Sequence, residues 1–199
     1  MKKRDRVNTI MIVILAVIVV LLLAALIYYF AGYSRNKGEG VVVDFNLLTA
    51  LQDRLGKTDG TLTDEDWARL ETVKILGRSI KELEGFQQAD NLRELNLRCN
   101  KIGDLSPLSG LTRLELLVAA DNEIKDISRL NGPVLEGLKH LDLSINRIDD
   151  LAVLDWKKLE ALTHLDIRYN YIDLQDSKVK KLIGDLRERG VEVLCEPMY

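Results

Sequence analysis

The chain is poor in the residues that carry most enzyme chemistry. Its 199 residues include two histidines and two cysteines. So few cysteines exclude a disulfide-dense scaffold, and so few histidines leave little room for histidine-based metal chemistry. A basic surplus is missing as well: 28 Lys and Arg stand against 31 Asp and Glu, a formal net charge of −3. Residues 1–9 hold four of the bases (Lys2, Lys3, Arg4, Arg6) and one acid (Asp5), which leaves −6 for the remainder. An acidic remainder argues against nucleic-acid binding, which needs a basic stripe to displace phosphate counterions.

Near its start the chain carries an uncharged apolar run. Ile10–Phe30 has 21 residues without a charge, a helix of about 31 Å, the thickness of a bilayer hydrocarbon core. A cleaved secretory signal has a shorter apolar stretch and a small-residue cleavage site. This run is longer and ends in Tyr28, Tyr29, Phe30 and Tyr33, which suit an interfacial aromatic belt. It reads as an uncleaved single-pass anchor. Lys2, Lys3, Arg4 and Arg6 outnumber Arg35 and Lys37 on the other flank. The positive-inside rule therefore puts the N-terminus in the cytoplasm and the rest of the chain outside it.

The remainder repeats itself. Leu92, Leu95, Leu97, Asn100 and Ile102 recur as Leu114, Leu117, Ala119, Asn122 and Ile124. They recur again as Leu138, Leu141, Leu143, Asn146 and Ile148, then as Leu162, Leu165, Ile167, Asn170 and Ile172. The asparagines are 22, 24 and 24 residues apart, and Val73, Ile75 and Ile80 form a degenerate copy 22 residues upstream of the first. This is the leucine-rich-repeat pattern L-x-x-L-x-L-x-x-N-x-I. Alternation with period two makes L-x-L a short strand with its leucines inward. The asparagine ends the strand and can bond backbone groups left unpaired by the turn. No single copy buries its apolar face, so the copies must stack into a parallel sheet. The 22-residue spacing leaves room for a tight or 3₁₀ connection on the convex side; in the 24-residue copies, Leu151–Leu159 has room for a helical turn.

Both ends of such a stack need caps. Asp44 is placed to N-cap a helix running to about Leu55, with Gly56 past its end. Thr63 and Asp66 mark the start of a second helix, Asp64–Leu70. Val179, Leu182, Ile183 and Leu186 have helical spacing within Asp176–Arg189, and Val191–Cys195 alternates as a closing strand.

The cap FNLLTALQDRLGKTDGTLTDEDWARLETVKIL, the repeated N-x-I-x-D-[LI] and the closing LRERGVEV resemble bacterial internalin-like leucine-rich-repeat domains. The resemblance covers Val41–Cys195. It implies an α/β solenoid of about five rungs, capped by helices and a helix–strand unit, that binds macromolecules, usually proteins, through its concave sheet. The array is shorter than a typical adhesin's, and no wall-sorting motif accompanies it.

Inward leucines determine which residues face out. The first column is Thr72, Glu94, Leu116, His140 and His164. The second is Lys74, Asn96, Val118, Asp142 and Asp166, with Glu192 expected to continue it. The third is Leu76, Arg98, Ala120, Ser144 and Arg168, and Tyr169 lies at a strand end. Leu116, Val118 and Ala120 place apolar groups where neighbouring rungs carry charge, a mark of an interface. With Glu94, Asn96, Arg98, His140, Asp142, Ser144, His164, Asp166, Arg168 and Tyr169 they form the expected partner-binding surface. Partial burial under a neighbouring rung is the competing explanation for the apolar residues.

His140, Asp142, His164 and Asp166 should form a square about 5 Å by 7 Å. Its spacing suits a divalent metal or a pH-sensitive patch; ordinary solvated polar positions explain it as well, and neither metal nor cofactor is assigned. His140 and Ser144 lie about 13 Å apart along one strand, too far for a catalytic triad. Asp142 and Asp166 are near enough for a carboxylate pair, but an open sheet excludes no water. Lys57–Asp66 lacks the ligands of a calcium loop. Cys99 and Cys195 fall four rungs, about 19 Å, apart, beyond disulfide reach.

The expected organisation is a cytoplasmic basic segment (1–9), a transmembrane helix (10–30), a linker (31–40), an N-terminal cap (41–72), repeats (73–172) and a C-terminal cap (173–199). The expected function is a membrane-anchored extracytoplasmic module that binds a protein, or a component of the cell envelope, and is not an enzyme. The alternative is a structural subunit of a membrane complex that meets its partners through the transmembrane helix.

Overall fold

The structure, a computed structural model, describes residues 44–58 and 60–197. The anchor, its basic flank and the linker expected at residues 1–40 lie outside them. Among the described residues no helix is long and apolar enough to cross a membrane.

Helix α1 spans Phe45–Leu55 because its ends are satisfied and one face is apolar. The Asp44 carboxylate accepts the amides of Asn46 and Leu47, and Gly56 ends the helix at φ 69°, a left-handed conformation that costs glycine little. Leu47 and Leu51 are buried. Helix α2 spans Asp64–Ala68 and opens with the capping box expected of Thr63 and Asp66. It ends two residues before the expected Leu70. Its Trp67 is buried edge-on to Phe86, with ring centroids 5.6 Å apart.

Six strands of three residues follow: β1 Thr72–Lys74, β2 Glu94–Asn96, β3 Leu116–Val118, β4 His140–Asp142, β5 His164–Asp166 and β6 Glu192–Leu194. They form one sheet in chain order, and every pairing is parallel. Val73, Leu95, Leu117, Leu141, Leu165 and Val193 stand side by side in register and point into the core. Ile80, Ile102, Ile124, Ile148 and Ile172 turn back into the same core. Each such side chain contributes roughly 1.5–3 kcal/mol by leaving water. The array thus has the five expected repeat rungs plus β6.

The four asparagines work as a ladder. The Asn100 amide oxygen accepts the amides of Arg78 and Ile80, while its nitrogen donates to the carbonyls of Ile75 and Leu97. Asn122, Asn146 and Asn170 repeat the arrangement one rung at a time. Just before each asparagine the chain turns through a left-handed residue: Cys99, Asp121, Ile145 and Tyr169 have φ of 54–60°, and Gly77 (φ 65°) takes the equivalent place in the first rung.

On the convex side the connections contain 3₁₀ turns at Phe86–Gln88, Ser106–Leu108 and Ser128–Leu130, and the short helix α3 at Val134–Gly137. The helical turn expected within Leu151–Leu159 is not formed. Turns replace it, held by the Trp156 indole donating to the Leu151 carbonyl at 2.6 Å and by Asn131, which bonds the Val153 carbonyl and the Asp155 amide. Helix α4, Ser177–Glu188, closes the stack, with Asp176 and Arg189 as its caps rather than its first and last turns. Its Ile183 and Leu186 are buried, and the Arg189 guanidinium donates to the carbonyls of Trp156 and Leu159. The C-cap Arg189 therefore ties the end of α4 to the last convex connection.

Candidate partner-binding face

The sheet displays its columns as the repeat spacing requires. Thr72, Glu94, Leu116, His140 and His164 stand in one row, and Lys74, Asn96, Val118, Asp142 and Asp166 in the next. The closing strand departs from expectation. Glu192 pairs with His164 and Leu194 with Asp166, so Glu192 extends the first column and not the second. Val193 is the inward residue that matches Leu165, and this match was the available signal for the register.

Burial divides the expected surface. Glu94 and Arg98 are exposed; Asn96, Leu116, Val118, His140, Asp142, His164, Arg168 and Tyr169 are half-buried. Ala120, Ser144 and Asp166 are buried, which removes them from the open grid. Ser144 donates its hydroxyl to Asp142 at 2.7 Å. Asp166 lies under Arg168, whose Nε and Nη2 donate to both its carboxylate oxygens at 2.6–3.1 Å. That bond and the nearby carboxylate charge raise the Arg168 pKa and fix its guanidinium in place.

Within the second column, polar residues serve the backbone. Asn96, Asp142 and Asp166 each accept the amide of the residue two places on, from Arg98, Ser144 and Arg168. The third rung has Val118 in this position, which offers no such acceptor. Leu116 and Val118 thus form a half-exposed apolar pair between rungs of charged and amide side chains.

The two histidines stack. Their rings lie 4.2 Å apart between centroids and 5° from parallel. His164 Nδ1 is 3.1 Å from the Glu192 carboxylate. Burial, and then the neighbouring His164, push the His140 pKa below the ordinary imidazole value. With Asp142 turned to Ser144 and Asp166 to Arg168, the four residues of the square do not converge. Among the described residues no group of three or more His, Cys, Asp or Glu is arranged to hold a metal ion. The Asp142–Ser144 bond also leaves no histidine at the serine hydroxyl. Cys99 and Cys195 are free thiols, as their separation in the array requires. The Asp121 carboxylate beside Cys99 raises its pKa and keeps it protonated.

A cavity of about 470 Å³ opens near the C-terminal cap, lined by Leu151, Trp156, Val179 and Leu182 with Asp149 and Asp176 among its polar residues. None of its lining residues belongs to the sheet columns.

Residues 90–132 match the family model described as Leucine Rich repeats (2 copies). No curated protein matches the chain. Among solved structures, an internalin (inlF) of Listeria monocytogenes superposes with a TM-score of 0.61 at 20% identity, covering 80% of this chain and 53% of that one. The chain therefore spans about half the length of that protein. An internalin C2 (inlC2) of the same organism has a TM-score of 0.39 at 21% identity, over 82% of this chain and 90% of its own. The leucine-rich-repeat ectodomain of the receptor kinase SOBIR1 of Arabidopsis thaliana has a TM-score of 0.48 at 17% identity, over 63% and 68%. The repeat match, the parallel array and the inlF superposition show that the chain has an internalin-like leucine-rich-repeat solenoid fold.

Proposed function

We propose that this protein is a single-pass membrane protein that displays its leucine-rich-repeat domain outside the cytoplasm and binds a protein partner through the concave sheet. The membrane part of this reading rests on the uncharged run Ile10–Phe30 and its basic flank. The binding part rests on one observation. Leu116 and Val118 are half-exposed on the sheet, and Val118 occupies a position where three other rungs keep a side-chain acceptor for the backbone. An apolar pair that replaces a structural hydrogen bond and is rimmed by Glu94, Arg98, Asp142 and the histidines has the makeup of an interface centre.

The test is capture by the full-length chain and by residues 34–199. Partners retained by residues 34–199 and lost with Val118→Glu, at an unchanged melting midpoint, support the concave face. Partners retained by the full-length chain alone would place the contact in the apolar run instead. Equal loss of capture and stability in Val118→Glu would make Val118 a packing residue. Proximity labelling from the C-terminus in intact cells reports the side of the membrane and the partner's identity.

A further inference from the structure

The concave face carries two imidazoles, and one carboxylate is hydrogen-bonded to the pair. His140 and His164 pair across β4 and β5 with their rings in parallel contact. Four strands bring groups up to this pair. β3 contributes Leu116, which has no charge. β4 contributes Asp142, whose Oδ1 is taken by the amide and hydroxyl of Ser144. β5 contributes Asp166, bound through both oxygens by Arg168. β6 contributes Glu192, and its carboxylate reaches Nδ1 of His164. Among the described residues, no hydrogen bond or ion pair engages the His140 ring.

From this arrangement we infer that the His140–His164 pair is a proton-operated switch in the partner-binding face, closed as a stack while it holds no more than one proton and opened by the second. With at most one ring charged, no like-charge repulsion acts across the pair, and the Glu192 carboxylate holds it from the His164 side. A second proton makes two parallel cations in contact, half-buried, with Glu192 reaching only the His164 side and the Asp142 and Asp166 carboxylates drawn to Ser144 and Arg168. Like charges at this distance repel, so the rings must part. The face then presents two separate cations in place of one flat ring surface beside Leu116. The depressed His140 pKa agrees with this order of events. The inference rests on the concave-face reading above and adds to it a regulation by acid.

The chain has no other histidines, so both imidazole signals are visible without ambiguity in the full-length protein in detergent, labelled at histidine. Their Cε1–H resonances are followed by NMR from about pH 8 to about pH 4.5, the interval around imidazole titration. The expected result is two steps separated by about one pH unit or more. The inter-ring NOE should survive the first step and vanish with the second. Glu192→Gln, an exposed substitution, should move both steps to lower pH. Both resonances moving over one shared interval, an NOE that persists to the acid end, or steps unaffected by Glu192→Gln would each overturn the switch. If Glu192→Gln fails to fold, the wild-type titration alone decides. No partner enters these measurements, so their failure leaves the docking reading standing, and failure of the capture experiment leaves the titration standing.

Discussion

Asn146 and Ile124 are joined across one rung: the Asn146 amide oxygen accepts the Ile124 amide at 2.9 Å. The same side chain donates to the carbonyls of Ala119 and Leu143 at 2.9 and 3.1 Å. Asn146 is 2% exposed, so water cannot replace it. Asn146→Ala orphans one buried donor and at least two acceptors. At roughly 1–3 kcal/mol for a buried polar group that loses its partner, with carbonyls suffering less, the loss should be about 3 kcal/mol. Urea unfolding of the variant checks this. A loss under about 1 kcal/mol would mean that the backbone finds other partners.

Acid should weaken the fold in two stages. His140 has a folded-state pKa below its unfolded value of about 6.5. Between those values the unfolded chain holds more protons, so stability rises with pH there. The first decline on acidification therefore begins near pH 6.5 and ends below the folded pKa. The second involves carboxyls that are lowered in the fold. Asp66 is held down by the Lys57 ammonium and the Thr63 amide. In Asp44 four backbone donors outweigh the upward effect of burial. Their contribution is present above about pH 4 and is lost as pH falls through their folded values. Melting midpoints across this range should show both stages, and His140→Gln should erase the first alone.

The repeat core was legible because each rung solves one local problem with the same residues. The period-two leucines and the asparagine spacing specify strand, turn and register together, and the pairings from Thr72 to Asp166 follow them. Caps were legible where side chains bond their own neighbours, as at Asp44 and Thr63. What escaped lies outside the repeat consensus. Asp166 is buried with Arg168 bound to both its carboxylate oxygens, and Ala120 is buried in the sheet. Glu192 was misplaced because β6 follows a helix and carries no asparagine to fix its register. The turns within Leu151–Leu159 depend on Asn131, 22 residues before Val153. No local pattern announces such a bond.

The C-terminal cap should depend on Arg189. Its guanidinium donates to the carbonyls of Trp156 and Leu159, which α4 and the last convex turn bring together. Charge-assisted bonds of this kind contribute about 1.5–3 kcal/mol each. Arg189 is exposed in part, so a value near 2 kcal/mol in total is expected for Arg189→Met, which keeps the apolar stem. Hydrogen exchange should then show faster opening of α4 and β6 with β1–β3 unaffected. Uniform acceleration across all six strands would mean that the cap and the array unfold as one unit.

The convex side is packed tightly enough for one methyl group to matter. A Cβ built on Gly132 would lie 2.5 Å from the Ser109 carbonyl oxygen and 3.3 Å from its carbonyl carbon. Real contacts of this type are never so short, and the obstacle is backbone, which cannot rotate aside. The Ser109 carbonyl also accepts the Val134 amide at 3.2 Å, so a shift of either strand of chain costs that bond. Gly132→Ala should therefore destabilise by about 1–3 kcal/mol, the range for overpacking. Gly110→Ala serves as the control, because a Cβ there meets nothing within 4 Å. Thermal unfolding of the pair should separate them clearly, with Gly132→Ala melting lower. Equal midpoints would show that the connection between the second and third full repeats yields freely, and would remove close packing as the reason for glycine there.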